Sequence, residues 1–216
     1  MQYWKSLLGS AFLFVTFNCV AAPIVWSSAS GGNDHAYDLV FGTFTWTEAR
    51  DDAASMSFNG QIGYLATITS QSENDFLIGN FQQNLSVGSS AMFGASDEAV
   101  PDEWRWVTGP EAGTLFWLGG PAGTAVGYAN WSPIEPNTSG SENFGGMILS
   151  KFPGFPSGTH EPGQWGDANN AGDSANTLGY LVEFNAGSPS GVPEPSSFLL
   201  FGLGLVGLGF SKGRLH

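Results

Sequence analysis

Of 216 residues only one is cysteine, Cys19, so no disulfide can form within the chain. That excludes the cross-linked frameworks by which many small exported domains make up for a thin core. Positive charge is equally scarce: six Lys and Arg stand against nineteen Asp and Glu, a formal net charge of −13. A surface of this sign repels phosphate backbones, so nucleic acid is not an expected partner, and divalent cations are the natural counter-species. Histidine occurs three times, at His35, His160 and His216, with no H-E-x-x-H or similar ligand spacing. His160 beside Glu161 reads as a surface pair. The stretch "GSPSG" at 187–191 only approximates G-x-S-x-G, with Pro189 where the motif has its serine, and it sits in a Pro/Ser/Gly linker rather than at a strand-to-helix elbow, so Ser190 is read as a chance likeness. With no catalytic set in sight, the chain is not expected to be an enzyme. The apolar runs at the two ends, Leu7 to Phe17 and Phe198 to Phe210, both fall short of the ~20 residues that a bilayer crossing needs.

What the chain does have is aromatic bulk. Phe, Trp and Tyr make up 14% of the residues and charged residues only 12%, a composition that argues for a packed core and against disorder. Both ends read as addresses. Residues 1–22 have one lysine, an apolar stretch and small residues at Val20, Ala21 and Ala22, the pattern of a secretory signal peptide cut after Ala22. At the other end a linker at 187–191 precedes residues 192–216: Val192-Pro193-Glu194-Pro195, the apolar segment 198–210 with four glycines, then Lys212, Arg214 and His216. This tripartite tail resembles the PEP-CTERM sorting signals of bacterial exported proteins. The resemblance implies recognition by an exosortase, transient membrane association through the apolar segment, and a destination at the cell envelope, cell surface or extracellular matrix.

Helical spacing appears twice. Thr45 and Glu48 are spaced as a capping box, with Trp46, Ala49, Ala53 and Met56 on one stripe, which predicts a helix over 46–57. Ser70 and Glu73 repeat the device ahead of Phe76, Leu77, Phe81 and Leu85, predicting a second helix over 71–83. Around the helices lie strand-like runs at 35–41, 64–68, 91–95, 103–107, 144–149 and 178–184, the fourth with Trp104 and Trp106 alternating with Glu103 and Arg105. Two early helices and many strands indicate an α+β domain with a mostly antiparallel sheet, spanning 23–186. The Gly- and Pro-rich span from about 108 to 143 reads as one long ordered loop.

In that order the elements resemble a C-type lectin-like domain. The features that carry the likeness are "GYLATITSQSENDFL" into the second helix, "FGASD" followed by "WRW", a long loop holding Glu135-Pro136-Asn137, then "QWGD" and the closing strand "GYLVEF". Two departures stand out: the family's disulfides are absent, and Gly166 follows Trp165 where sugar-binding members carry Asn. The resemblance implies a principal Ca²⁺ site at Glu135, Asn137, Glu142 and Asp167, a cis Glu-Pro peptide, and two vicinal hydroxyls of a glycan or exopolysaccharide completing the coordination.

The residues themselves agree with that chemistry. Ca²⁺ takes roughly 6 to 8 oxygen ligands, and in extended backbone positions i and i+2 face one side, so Glu135 and Asn137 can aim at one point. Asx-rich loops also carry Glu-Pro-Asn for turn-forming reasons alone. A carbohydrate-binding module, secreted or sorted to a bacterial surface, is therefore one expectation. A metal-independent adhesion or matrix protein on the same fold is the other, motivated by Gly166. A second acidic group, Asp97, Glu98, Asp102 and Glu103, is read as a solvated turn rather than an auxiliary Ca²⁺ site. Trp165 is read as core, anchoring the strand that presents Asp167.

Overall fold

The computed structural model describes residues 22–137, 141–172 and 176–186. The expected signal peptide, except Ala22, and the linker and tail from 187 lie outside the described residues. In chain order the elements are β1 (Ile24–Val25), a 3-10 turn (Ser28–Ser30), β2 (Ala36–Phe41), α1 (Trp46–Ser55), β3 (Ser57–Phe58), β4 (Gln61–Leu65) and α2 (Gln71–Phe81). They continue as β5 (Ser90–Ser96), β6 (Glu103–Trp106), β7 (Leu115–Leu118), β8 (Thr124–Ala125), β9 (Phe144–Ile148), β10 (Trp165–Ala168) and β11 (Thr177–Phe184). The fold is α+β, as the sequence predicts. Among the described residues no helix is long and apolar enough to cross a membrane.

The two helices form where their capping residues stand, but the caps differ. At α1 the box is reciprocal: the Glu48 amide donates to Thr45 Oγ1 at 3.2 Å and the Thr45 amide donates to Glu48 Oε2 at 2.8 Å. At α2 only half of it closes. The Glu73 amide donates to Ser70 Oγ, whereas the Glu73 carboxylate turns inward, accepting from the Thr69 amide and from the Tyr37 hydroxyl at 2.6 Å. A buried partner outcompetes the solvent-facing cap because a bond made away from water is not in exchange with water.

The strands run β1-β2-β11-β5-β6-β7-β8, with β9 paired to β5 and β10 to β9, and β4 paired to β11 and β3. Every pairing is antiparallel except β11 with β5. First and last long strands lie side by side, Ala36 opposite Phe184 and Phe41 opposite Gly179, so the described chain begins and ends on one ladder. The span 108–143 departs from the reading as a single loop, because β7 and β8 extend the sheet there: Trp117 pairs with Trp104 and with Ala125. Flanking glycines and prolines hide these short strands from a pattern search.

Two apolar clusters fill the interior. One gathers Trp104, Trp106, Phe116, Trp131 and Trp165 with Phe93 and Leu77 beside α2 and the long connections; the other packs Trp46, Ala49 and Ala53 of α1 against Leu65, Tyr180 and Val182. Gly94 marks the closest approach between layers. A Cβ there would sit 2.0 Å from Thr108 Oγ1 and 2.7 Å from the Leu65 carbonyl oxygen, which the Thr108 hydroxyl already engages at 2.7 Å, so only glycine fits.

Candidate functional site

The site is built on one fastening. Trp131 and Trp165 form a parallel bridge, the Trp165 amide donates to the Asn130 carbonyl and the Ser132 amide to the Trp165 carbonyl, both at 2.8 Å. These bonds clamp the start of the loop to the strand that carries Asp167. Trp165 itself is wholly buried and donates its Nε1–H to Asn74 Oδ1 of α2 at 2.8 Å. Asn74 in turn donates to the Gly163 carbonyl at 3.0 Å, tying α2 to the segment that enters β10. Trp165 is thus core, as expected, and it anchors Asp167.

From Ser132 the chain turns back, with the Glu135 amide donating to the Ser132 carbonyl, and the Glu135–Pro136 peptide is cis. Glu135 is 5% exposed. Its Oε2 accepts from the Asn137 amide at 3.1 Å and from Asn137 Nδ2 at 2.7 Å, and the same Asn137 amide reaches Asp167 Oδ1 at 3.0 Å. The i, i+2 spacing therefore brings Glu135 and Asn137 together, though here they bond to each other. Glu135, Asn137, Glu142, Gly166 and Asp167 all line one cavity of about 330 Å³.

The electrostatics of that cavity are those of crowded acids. Burial, a side-chain hydrogen bond with Asp167, and the charges of Asp167 and Glu142 push the Glu135 carboxyl up to about 9. Glu135 thus favours its protonated form. Among the described residues no group of three or more His, Cys, Asp and Glu side chains stands ready to hold a metal ion. The donors nonetheless suit Ca²⁺ by type: three carboxylates and an amide, all hard oxygens.

Two expectations need correction here. His160 is not a surface residue but 8% exposed, in a left-handed backbone conformation at φ 52°, with Nε2 lying 3.1 Å from Glu135 Oε1. Burial, then the charge of Lys151, holds its pKa below the ordinary histidine value, so the imidazole is neutral. Glu161 pairs with Lys151 instead. Asp97 likewise is no solvated turn residue: it is 2% exposed, its Oδ2 accepts from the Asp102 amide at 3.0 Å, and its Oδ1 has no hydrogen-bond partner among the described residues. Burial first, then the charges of Asp167 and Asp102, raise its pKa. No local sequence signal marks either residue, since both owe their burial to segments distant in the chain.

Comparison with solved structures settles the architecture. CEL-I, a C-type lectin from Cucumaria echinata, superposes in its EPNH mutant form with a TM-score of 0.53 at 18% identity, over 79% of this chain and 99% of that one. Human lithostathine superposes with a TM-score of 0.51 at 16% identity, over 77% and 99%. The domain has the C-type lectin-like fold. Residues 191–214 match the PEP-CTERM protein-sorting motif, so the tail is a sorting signal. In sequence, the chain is similar to part of halomucin from Haloquadratum walsbyi, 40% identical over 130 residues, or 56% of this chain. The chain spans about 1% of the length of that curated relative.

Within this C-type lectin-like fold Gly166 lies against the cavity floor. A Cβ at Gly166 would lie 3.7 Å from Glu135 Cγ and 3.9 Å from Cδ, ordinary contact distances, so the absence of a side chain here is not forced by packing.

Proposed function

We propose that this chain is an exported bacterial carbohydrate-binding module. In it Glu135, Asn137, Glu142 and Asp167 hold Ca²⁺, and the ion together with those side chains takes vicinal hydroxyls of a glycan or exopolysaccharide. The observation that carries this reading is the convergence of all four side chains on one cavity, with the Glu135 carboxyl buried in it. A bound Ca²⁺ would supply a Lewis-acidic point to which sugar hydroxyls coordinate. The protein's own part is to hold Glu135 out of bulk water, to aim Asn137 alongside it, and to bring Asp167 in from β10. Closing three carboxylates on an ion requires side-chain adjustment and water, in keeping with the absence of a ready cage. Binding rather than catalysis is the role proposed.

In the same reading residues 1–22 direct export, 23–186 fold as the binding domain, 187–191 are a linker and 192–216 are the sorting signal read by an exosortase. Display of many copies on an envelope or in a matrix would let weak single sites add up to adhesion. A metal-independent, protein-binding adhesin on the same fold is the second reading, favoured by one observation, the missing side chain at Gly166.

Thermal unfolding separates the two. At calcium about 100-fold above its Kd, a ligand specific to the folded state adds about 2.7 kcal/mol, or roughly 5–10 °C for a chain of this size. That shift is expected in the wild type and not in Glu135→Ala; a wild type indifferent to both calcium and chelator sinks the metal site and leaves the adhesin. Because the floor has room, Gly166→Asn is expected to tighten calcium binding by about tenfold in a calorimetric titration with CaCl₂, an added oxygen ligand being the main lever on affinity. Unchanged affinity in that variant would mean that position 166 does not face the ion.

A further inference from the structure

The carboxylates account for only part of the cavity. Phe152, Phe155 and His160 also line it, all from the segment that joins β9 to β10. Phe155 stacks on the His160 imidazole with ring centroids 4.0 Å apart and planes at 30°, and Phe152 stands edge-on to Phe155 at 6.4 Å and 84°. Yet Phe155 remains 41% exposed although one of its faces is covered. A phenyl ring left this open loses the apolar burial that usually places it, so its position comes from the backbone.

That backbone is well held. Lys151 Nζ donates to the Thr159 carbonyl at 3.1 Å, the Thr159 hydroxyl to the Pro156 carbonyl at 2.7 Å, and Gln164 Nε2 to the Gly158 carbonyl at 3.1 Å. The imidazole beneath Phe155 is fixed as well: the His160 backbone amide donates to Ser132 Oγ at 3.1 Å, and the ring Nε2 lies 3.1 Å from Glu135 Oε1. One histidine therefore supports both an aromatic shelf and the buried carboxyl of the candidate site. The cavity offers oxygen ligands and a flat apolar surface together. A molecule matched to both must carry hydroxyls along its edge and carbon–hydrogen bonds on its face, which is the chemistry of a pyranose ring.

We propose that Phe155 is the stacking platform of a saccharide subsite: a pyranose whose hydroxyls face Glu135, Asn137, Glu142 and Asp167 lays its carbon–hydrogen face on the Phe155 ring. The inference rests on the carbohydrate reading above and adds to it the chemical requirement that the bound sugar expose an unobstructed C–H face.

The test uses the full chain in CaCl₂ with the methyl glycosides of mannose, glucose, galactose, fucose and N-acetylglucosamine. Binding and the protons nearest the protein are read by saturation-transfer NMR, on wild type, Phe155→Ala and Phe155→Tyr. At least one glycoside is expected to bind wild type, with strongest transfer to its ring C–H protons. Phe155→Ala is expected to weaken it about tenfold and Phe155→Tyr to keep it within about twofold, while the calcium-dependent rise in unfolding temperature is the same in all three. Equal binding by wild type and Phe155→Ala overturns the platform and leaves the carbohydrate reading standing. Loss of the calcium response in Phe155→Ala also overturns it, because Phe155 would then act by holding His160 and Glu135. If wild type binds none of the five although calcium still stabilises it, the carbohydrate reading falls for these sugars and the platform with it.

Discussion

Trp165→Ala is expected to lower the unfolding free energy by about 4 kcal/mol and to remove the calcium response along with it. The indole is fully buried and forms the hub of the aromatic cluster, with ring centroids 5.1 Å from Phe93, 5.6 Å from Tyr128, 5.8 Å from Trp131 and 6.0 Å from both Trp106 and Phe116. Truncation leaves a cavity among rigid rings that cannot collapse into it, the situation in which large-to-small changes cost most. It also strands Asn74 Oδ1, which accepts from the indole Nε1–H at 2.8 Å, and a buried acceptor without its donor adds its own desolvation penalty. Trp165→Phe isolates that second part, since most of the apolar volume is kept; a loss of about 1–2 kcal/mol is expected there. The strand that Trp165 anchors carries Asp167 two residues on, so the calcium-induced shift should vanish in Trp165→Ala even at temperatures where the variant is still folded. Chemical denaturation with and without calcium measures both quantities. A variant that unfolds within about 1 kcal/mol of wild type would show that the cluster does not depend on Trp165.

The second large effect lies outside the cavity lining, in a buried polar network. Glu73 and Glu183 are each 2% exposed and both touch the Tyr37 hydroxyl, at 2.6 and 3.2 Å. Glu183 also takes the Thr67 amide at 2.9 Å and sits 2.5 Å from His35 Nδ1. The bond to Glu183 is the main cause of a His35 pKa above the ordinary 6.5, with the charges of Glu183, Glu73 and Glu111 adding to it against the cost of burial. Burial, then the charge of Glu183, raises Glu73 as well. Burial first, then the charges of Glu183 and Glu73, pushes Tyr37 up, so that it stays neutral throughout.

The sign follows from linkage. A group that holds its proton more tightly in the folded than in the unfolded state stabilises the fold below its unfolded pKa and loses that contribution as pH rises through the folded one. His35 and Glu73 both belong to this class. In the presence of chelator the unfolding temperature is therefore expected to fall as pH rises from the ordinary histidine value upward. His35→Ala should cost about 3 kcal/mol at pH 6, by leaving Glu183 buried without its cation, and much less at pH 9. A stability profile in which the His35→Ala penalty is the same at both pH values would exclude the ion pair as its source.

Several features were legible because their causes are local. Thr45 with Glu48, and Ser70 with Glu73, mark helix starts within four residues, and α1 and α2 begin where these caps stand. Trp104 and Trp106 alternate with the half-buried Glu103 and Arg105, and β6 follows. Glu135 and Asn137 meet across Pro136 because the chain between them has so little freedom. By contrast β7 and β8 were unreadable: four- and two-residue strands among glycines carry no pattern of their own and exist because β6 offers an edge to β7, and β7 in turn to β8. The second capping box failed for the same kind of reason, as Glu73 found a buried hydroxyl 36 positions away.

The sequence alone thus determined the α+β class and the meeting of Glu135 with Asn137 across Pro136, which depend on spacing along the chain, while the sorting tail was legible from its resemblance to a known signal. Only the tertiary structure decided the electrostatics. Glu135, Asp97 and His160 acquire their altered proton affinities from burial and from charges brought close by folding, and neither is a property of neighbours in sequence. The same holds for Phe155, whose ring reaches the cavity only because the β9–β10 connection folds back over the loop that carries Glu135.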